Sequence, residues 1–295
     1  MPVSNNLHPA RQSSRPVVGL CVSTTHGRIL ENRALMSQLM GLSTPVVVVN
    51  QHDAGRGLPD QLGMDAHHIQ VINTKTRGLS KSRNLALRKL NASWAVLCDD
   101  DITLDLAGLN QLKAHLSKLP VEGLLPIIIC QLWRDAEQAW RDYSPNPWSL
   151  RNWTTSHVLL LQKVNSMELI VPTFHVQSTP LEFHEALGLG SMSGMSAGEE
   201  GLLLANHLRQ GGEITYLPLR LRFHPEESTG ARLNSQTAMS MGVVHRASFP
   251  AWSQPVLLFR MVTKILFRSP EGGRAAWAYG VGFFQSKSIL TKHHA

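Results

Sequence analysis

The sequence predicts an α/β fold built on a mainly parallel β-sheet, with helices on both faces. Between residues 17 and 105, short apolar runs rich in β-branched residues alternate with longer stretches of helical periodicity. The runs span residues 17–22, 45–49, 69–72 and 94–98. Because they are almost continuously apolar, they are typical of parallel strands that are buried on both faces.

Two segments between these runs are predicted to be helices. Residues 28–40 follow the first run and residues 79–90 follow the third, and both carry apolar side chains at helical spacing. On the second helix Arg83 shares a stripe with Leu79 and Leu87, so it is expected on the core-facing side. A charge there needs an anion or an acidic partner, unless the side chain buries only its stem.

Polar residues follow three of the four predicted strands. Residues 23–28 follow the first, residues 50–53 the second and residues 99–101 the fourth. In open α/β sheets ligands bind beyond the carboxyl ends of the strands. These residues therefore predict a binding cleft along one edge of the sheet, although any strand end also needs polar loop residues.

Three consecutive aspartates, Asp99, Asp100 and Asp101, close the fourth strand. If the backbone stays extended, the side chains of Asp99 and Asp101 point to the same side. Two adjacent carboxylates repel each other unless a cation lies between them, and oxygen ligands suit Mg²⁺ or Mn²⁺. The alternative is that the aspartates only turn the chain and cap a helix that begins near Asp105.

A second acidic site is predicted at the start of a helix, at Glu199 and Glu200. Ser196 and Glu199 have the spacing of a capping box, which gives Glu199 a structural role. Glu200 then faces the body of the protein and could serve as a general base. The alternative is that both acids only complement the helix dipole.

A strand is predicted after Gly211 and Gly212, and it ends at His224. Apolar and polar residues alternate along this strand, as expected of a strand with one buried face. A histidine at a strand end could join Asp101 on a metal ion or bind a diphosphate, although most single histidines do neither.

Composition excludes two classes of protein and favours anionic partners. A mean hydropathy of -0.09 excludes a polytopic membrane protein, and 43% hydrophobic residues exclude a disordered chain. The 28 lysines and arginines against 21 acids give a net charge of +7. The three cysteines have no CxxC spacing, and residues 1–16 have no apolar signal core, so we expect free thiols, a flexible N-terminus and a cytoplasmic location.

From about residue 17 to residue 230 the chain resembles a family-2 glycosyltransferase with the GT-A fold. Five motifs carry the resemblance, in the family's order: Thr24-Thr25-His26, residues 78–84, Asp99-Asp100-Asp101, Gly198-Glu199-Glu200 and residues 216–230. The resemblance implies a GT-A domain over residues 17–230. It also implies transfer of a sugar, with inversion, from a nucleotide diphosphate such as UDP to a hydroxyl of a glycan or lipid-linked acceptor in surface polysaccharide synthesis.

The resemblance also implies roles for individual residues. Asp99 and Asp101 match the D-x-D motif, Glu200 matches the catalytic base, and His224 matches a position near the metal or diphosphate. The residues implied to bind the nucleotide-sugar are Thr24, Asn50, Arg83, Asp99 and Asp100, and those implied to hold Mn²⁺ or Mg²⁺ are Asp99, Asp101 and His224. Family members more often have aspartate at the positions of Asn50 and Glu200.

Residues 231–295 are predicted to form a basic, amphipathic helical extension. Basic, apolar helices of this kind lie on anionic membrane surfaces, which would suit a peripheral enzyme on the inner face of the membrane. The alternative is that they pack on the GT-A core with their cations in solvent. Two other functions stay open: a sugar nucleotidyltransferase, and a non-catalytic module that binds nucleotide or membrane. No nucleic-acid-binding motif is present.

Overall fold

The structure is a computed structural model. It describes residues 18–53, 57–59, 62, 67–119, 124–141, 143–151, 164–173, 181–224 and 234–291. The N-terminus predicted to be flexible, residues 1–16, lies outside the described residues, as do residues 225–230 of the last motif.

Within the described residues, nine strands form one sheet. They are β1 (Val18–Thr25), β2 (Val46–Gln51), β3 (Ile69–Thr74), β4 (Trp94–Asp99), β5 (Thr103–Leu104), β6 (Ile127–Trp133), β7 (Trp148–Leu150), β8 (Leu169–Pro172) and β9 (Ile214–Phe223). Their order is β3-β2-β1-β4-β8-β6-β9-β5, and β7 pairs with β9. Strands β1, β2, β3, β4, β6 and β9 run in the same direction, and β5, β7 and β8 run against them. The prediction of a mixed, mainly parallel sheet is confirmed.

Helices cover both faces of this sheet, as predicted. Those of the α/β part are α1 (Arg33–Met40), α2 (Leu79–Lys89), α3 (Leu106–Leu116) and α4 (Glu199–Arg209). Helices α1 and α3 pack Leu35, Leu39 and Leu109 into the core on one face of the sheet. Helices α2 and α4 pack Leu87 and Leu204 into a second core on the other face.

The predicted helix over residues 28–40 is two elements. Arg28–Glu31 forms a 3₁₀ turn, and α1 begins only after Asn32. The Asn32 side chain caps α1 by accepting a hydrogen bond from the Leu35 amide, at 3.0 Å. Its amide nitrogen also donates to the Asp100 and Ile102 carbonyls at 3.2 and 2.7 Å. These bonds to the β4–β5 turn hold Asn32 out of helical conformation, and helical periodicity alone does not reveal them.

Three helices follow the sheet: α5 (Ser235–Ser248), α6 (Gln254–Arg268) and α7 (Gly272–Thr291). Gly242 of α5 and Gly282 of α7 allow the two backbones to touch, because a β-carbon on either would overlap a carbonyl oxygen of the other helix. Val244 of α5 packs against Leu202 of α4, which joins these helices to the α/β part. The boundary predicted after residue 230 stays a prediction. None of the helices described is long and apolar enough to cross a membrane.

Candidate active site

The sheet brings the predicted site residues to one edge. Strands β1, β2 and β4 extend further than predicted, so Thr24, Asn50 and Asp99 are strand residues rather than loop residues. In the parallel register Thr24 lies beside Asn50, and Ser23 lies beside Asp99. Since the carboxyl ends of parallel strands meet at the same edge, Thr24, Asn50 and Asp99 lie together there, and the cleft itself stays a prediction.

Arg83 is the centre of the site. Its side chain is only 2% exposed. Its Nη1 donates to Glu199 Oε1 at 3.2 Å, and its Nη2 donates to Asp99 Oδ1 at 3.3 Å and to Ser166 Oγ at 2.7 Å. The guanidinium carbon lies 5.6 Å from the centre of the Phe183 ring. The prediction that Arg83 faces the core and needs an acidic partner is confirmed, and its acidic partners are Asp99 and Glu199.

Of the two acids at the start of α4, Glu199 has a different environment from the one that the sequence predicted. The predicted capping box is wrong: Gly198 is the N-cap, in left-handed conformation at φ 93°, with no side-chain cap bond. Glu199 is instead buried against Arg83, and its Oε2 has no hydrogen-bond partner in the described part of the chain. Burial, and secondarily the charge of Glu200, raises the pKa of Glu199 to about 8, while Arg83 opposes the shift.

Glu200 is half-buried and lies next to this cluster. Its Oε1 accepts a hydrogen bond from the Ser166 amide at 3.2 Å. Ser166 therefore binds Glu200 through its backbone and Arg83 through its hydroxyl. The role of Glu200 as the base stays a prediction.

Ser166 is a site residue that sequence reasoning missed. It begins a short 3₁₀ turn, Ser166–Glu168, which Asn165 and Glu168 close with a reciprocal capping box. Glu168 is buried, and it also accepts hydrogen bonds from Tyr143 Oη at 2.7 Å and Arg141 Nη1 at 3.1 Å. The Asn-x-x-Glu spacing is visible in the sequence, but its proximity to Arg83 depends on the folded sheet.

Asp100 and Thr24 form a second polar pair that is buried at the end of β1. Thr24 Oγ1 donates to Asp100 Oδ2 at 2.7 Å and accepts from the Ile29 amide at 3.1 Å. Arg28 Nη2 lies 3.6 Å from Asp100 Oδ1. Burial raises the pKa of the Asp100 carboxyl, and the Thr24 hydrogen bond partly offsets this. In this arrangement both side chains hold the turn after β1, so their contact with a nucleotide stays a prediction.

Asn50 is fully buried beneath the same turn. Its Oδ1 accepts from the Gly27 amide at 3.0 Å, and its Nδ2 donates to Asn73 Oδ1 at 2.9 Å. Asn73 in turn bonds the amide and the carbonyl of Leu58, at 2.8 and 2.7 Å. Asn50 therefore links three strand ends, and its contact with a base stays a prediction.

Asp101 and His224 lie together, with Asp101 Oδ1 at 3.4 Å from His224 Nε2. The hydrogen bond from His224 lowers the pKa of Asp101, against the opposing effect of burial. However, β4 ends at Asp99, and Asp100 and Asp101 form a turn. The expectation that an extended backbone aligns Asp99 with Asp101 is therefore wrong.

The donor set fits a divalent cation in part. Asp101 and His224 offer an oxygen and a nitrogen next to each other, whereas Asp99 already binds Arg83. Among the described residues no group of three histidine, cysteine, aspartate or glutamate side chains could hold a metal. Mg²⁺ and Mn²⁺ often bind only one or two carboxylates and complete their shells with phosphate and water, so two protein ligands are compatible with a metal carried by a diphosphate.

The three cysteines, Cys21, Cys98 and Cys130, are free and buried, as the sequence predicts. Burial raises the pKa of each thiol, to about 11 for Cys98 and about 12 for Cys130. They are therefore thiols, not thiolates, at neutral pH, and none of them is suited to nucleophilic catalysis.

Solved structures of S. aureus TarS have a similar fold. The crystal structure of TarS matches with a TM-score of 0.56 at 13% identity, over 87% of this chain and 45% of the TarS chain. This chain therefore spans less than half of that TarS chain. TarS 1–349 in complex with UDP-GlcNAc matches with a TM-score of 0.57 at 11% identity, over 94% of this chain and 91% of that one.

TarS 1–349 in complex with UDP matches with a TM-score of 0.53, again at 11% identity and over the same shares. TarS is a family-2 glycosyltransferase. The fold is GT-A-like. No protein-family model matches the sequence, and no curated protein sequence matches it.

Proposed function

We propose that this protein is a glycosyltransferase that uses a nucleotide-diphosphate sugar. One observation carries the proposal: a single polar cluster lies at the carboxyl edge of a GT-A-like sheet. Its members are Arg83, Asp99, Glu199, Ser166 and Glu200. Ligands of open α/β sheets bind at this edge. TarS, which shares the fold, has been crystallised with UDP-GlcNAc and with UDP. We infer a UDP-sugar as the donor.

Asp101 and His224 would hold the divalent cation in this proposal. The cation, when bound, neutralises the charge that develops on the leaving diphosphate. Asp99 has a different role, because Arg83 holds its carboxylate in place next to the proposed cleft. Arg83 donates three hydrogen bonds to Glu199, Asp99 and Ser166, so we infer that it organises the acids rather than binding phosphate directly.

Glu200 is the proposed general base. The Ser166 amide holds one of its oxygens, and the carboxylate would take the proton of the acceptor hydroxyl as that oxygen attacks the anomeric carbon. A positioned base of this kind typically accelerates a reaction by about 10²–10⁴-fold. A single displacement inverts the anomeric centre and needs no enzyme nucleophile, in agreement with the buried, protonated state of the cysteines. The proposed acceptor is a hydroxyl of a surface polysaccharide or of its lipid-linked precursor, glycosylated in the cytoplasm.

Calorimetry with UDP, with and without Mn²⁺, combined with a screen of UDP-, GDP- and dTDP-sugars for hydrolysis and transfer, tests the proposal. Asp101→Ala is expected to abolish Mn²⁺-dependent UDP binding without loss of fold, whereas Glu137→Ala, on an exposed loop, should not change it. Glu200→Gln is expected to keep UDP binding and lose turnover. Its matched control, Glu182→Gln, removes the charge of a surface carboxylate paired with Arg88 and should leave turnover unchanged.

Two alternatives give different results in the same experiments. A sugar nucleotidyltransferase would bind a nucleoside triphosphate and a sugar phosphate and release pyrophosphate, and it would not hydrolyse a UDP-sugar. A non-catalytic module would bind UDP with no turnover under any condition. Either result would refute the transferase proposal. Loss of UDP binding in Glu200→Gln would contradict only the assignment of Glu200 as the base and would leave the transferase proposal standing.

A further inference from the structure

Helix α6, Gln254–Arg268, is apolar on two opposite sides. Its inner side packs Leu257, Met261 and Ile265 against α5 and α7. Its outer side carries apolar side chains that are largely exposed: Val256 at 71%, Phe259 at 77%, Leu266 at 46% and Phe267 at 85%. At 100° per residue, these four fall within one sector opposite the buried stripe. An outward face of this composition is unusual on a soluble protein and marks an interaction surface.

Basic side chains border this outer face. Arg260, Lys264 and Arg268 follow one another at intervals of four residues, so they form a stripe along one side of the helix, and all three are exposed. Residues 234–291 contain six lysines and arginines but only one acid, Glu271. Glu271 Oε2 accepts a hydrogen bond from the Ser235 amide at 2.8 Å and is also bonded to the Ser235 hydroxyl.

Exposed aromatic residues extend this composition beyond α6. Trp252 lies just before the helix and is 69% exposed, and α7 carries Trp277 at 76% and Phe284 at 74%, seven residues apart on one face. Tryptophan is enriched where a protein meets the interfacial layer of a bilayer, because its ring is amphipathic. Helices α6 and α7, with Trp252 before α6, therefore expose aromatic rings, aliphatic side chains and cations, and almost no negative charge.

We propose that the outer face of α6 docks on a membrane surface that contains anionic phospholipid. The apolar sector would enter the boundary between headgroups and acyl chains, and the basic stripe would bind lipid phosphates. A second copy of this chain is a poorer partner, because the same helices would bring six lysines and arginines but only one acid, Glu271, to the contact. The helix would lie on the bilayer rather than cross it. This proposal does not depend on the proposed transferase activity.

Flotation of the full chain with lipid vesicles tests the proposal. Phosphatidylcholine vesicles with and without phosphatidylglycerol are the probes, at low and high NaCl. We expect binding only to vesicles with phosphatidylglycerol, weakened by salt. The triple variant Arg260→Gln/Lys264→Gln/Arg268→Gln should bind about 100-fold more weakly, since each cation beside an anionic surface contributes about fivefold. Phe259→Ser/Phe267→Ser should lose at least about tenfold, from the apolar area no longer buried.

The controls are Leu106→Ser, at the first residue of α3, and Lys118→Gln, two residues beyond its end; both side chains are exposed, and both variants should bind like the wild type. Because the substituted side chains are exposed, thermal unfolding should show that all variants remain folded. Absence of vesicle binding, or binding that neither set of α6 substitutions weakens, would overturn the proposal. The proposal would also be overturned if sedimentation showed a dimer that the Phe259→Ser/Phe267→Ser variant no longer forms, because a second copy would then cover this face.

Discussion

Substitution of Glu199 by glutamine tests the electrostatics of the cluster through folding stability. Glu199 is 3% exposed, and burial together with Glu200 raises its pKa from 4.5 to about 8. The folded state therefore keeps a proton that the unfolded state loses above pH 4.5. For a group of this sign, stability is fully present below the unfolded pKa and is lost as the pH rises to about 8. At about 1.4 kcal/mol per pKa unit, this group should remove about 3 kcal/mol between pH 5 and pH 8.

Glutamine resembles the protonated acid and cannot ionise, so Glu199→Gln should lose this pH dependence. We expect the variant to resemble the wild type near pH 5 and to be more stable than it by about 3 kcal/mol at pH 8. Urea unfolding at pH 5, 6, 7 and 8, without divalent cations, measures the difference. Glu182→Gln, at the surface, should leave the wild-type slope unchanged. Parallel pH profiles for Glu199→Gln and the wild type would show that Glu199 is ionised beside Arg83 and would refute the reasoning.

Two further predictions concern the C-terminal helices. Burial, and secondarily Lys264, lowers the pKa of His245 to about 3, so this group's contribution to folding stability is complete above pH 6.5 and should fall by about 1.4 kcal/mol per pH unit below it. Urea unfolding of the wild type and of His245→Gln at pH 7 and pH 5 measures this contribution. Equal losses of stability in the two proteins between pH 7 and pH 5 would contradict the prediction. Gly242→Ala should destabilise the fold by about 2 kcal/mol because its β-carbon would overlap the Tyr279 carbonyl. A β-carbon at Gly280 would meet nothing within 4 Å outside its own helix backbone and chain neighbours, so Gly280→Ala should instead stabilise the fold by up to about 1 kcal/mol in the same assay. Similar effects of both substitutions would show that the helices do not touch at Gly242.

Part of the sheet, and the edge that holds the site, could be predicted because both depend on local patterns. Four apolar runs mark β1 to β4, and the polar residues after three of them mark the carboxyl edge, whereas β5 to β8 could not be read from such runs. Arg83 could be placed on the buried face of α2 by periodicity, and its need for an acid follows from burial. Which acid it meets could not be predicted, because Glu199 is 116 residues away along the chain.

The capping box shows why local spacing fails at this site. Ser196 and Glu199 have the same spacing as Asn165 and Glu168, yet only the second pair forms a capping box. Gly198 adopts a left-handed conformation and starts α4 directly, which turns Glu199 towards Arg83. A buried guanidinium outweighs a cap bond, since hydrogen bonds to charged groups contribute about 1.5–3 kcal/mol against about 1 kcal/mol for a cap. That competition involves a distant residue and leaves no signal in the local sequence.

The three aspartates differ in environment because the strand ends within them. Asp99 is the last residue of β4 and faces Arg83, whereas Asp100 turns inward to Thr24. Asp101 emerges from the turn beside His224. An extended backbone would have given Asp99 and Asp101 the same neighbours and strong mutual repulsion. The turn instead leaves one carboxylate beside a guanidinium, one beneath the β1 turn and one at the open edge. Asp101 is therefore the acid to which the proposed function assigns the cation, and the other two acids would act through the residues that they hold.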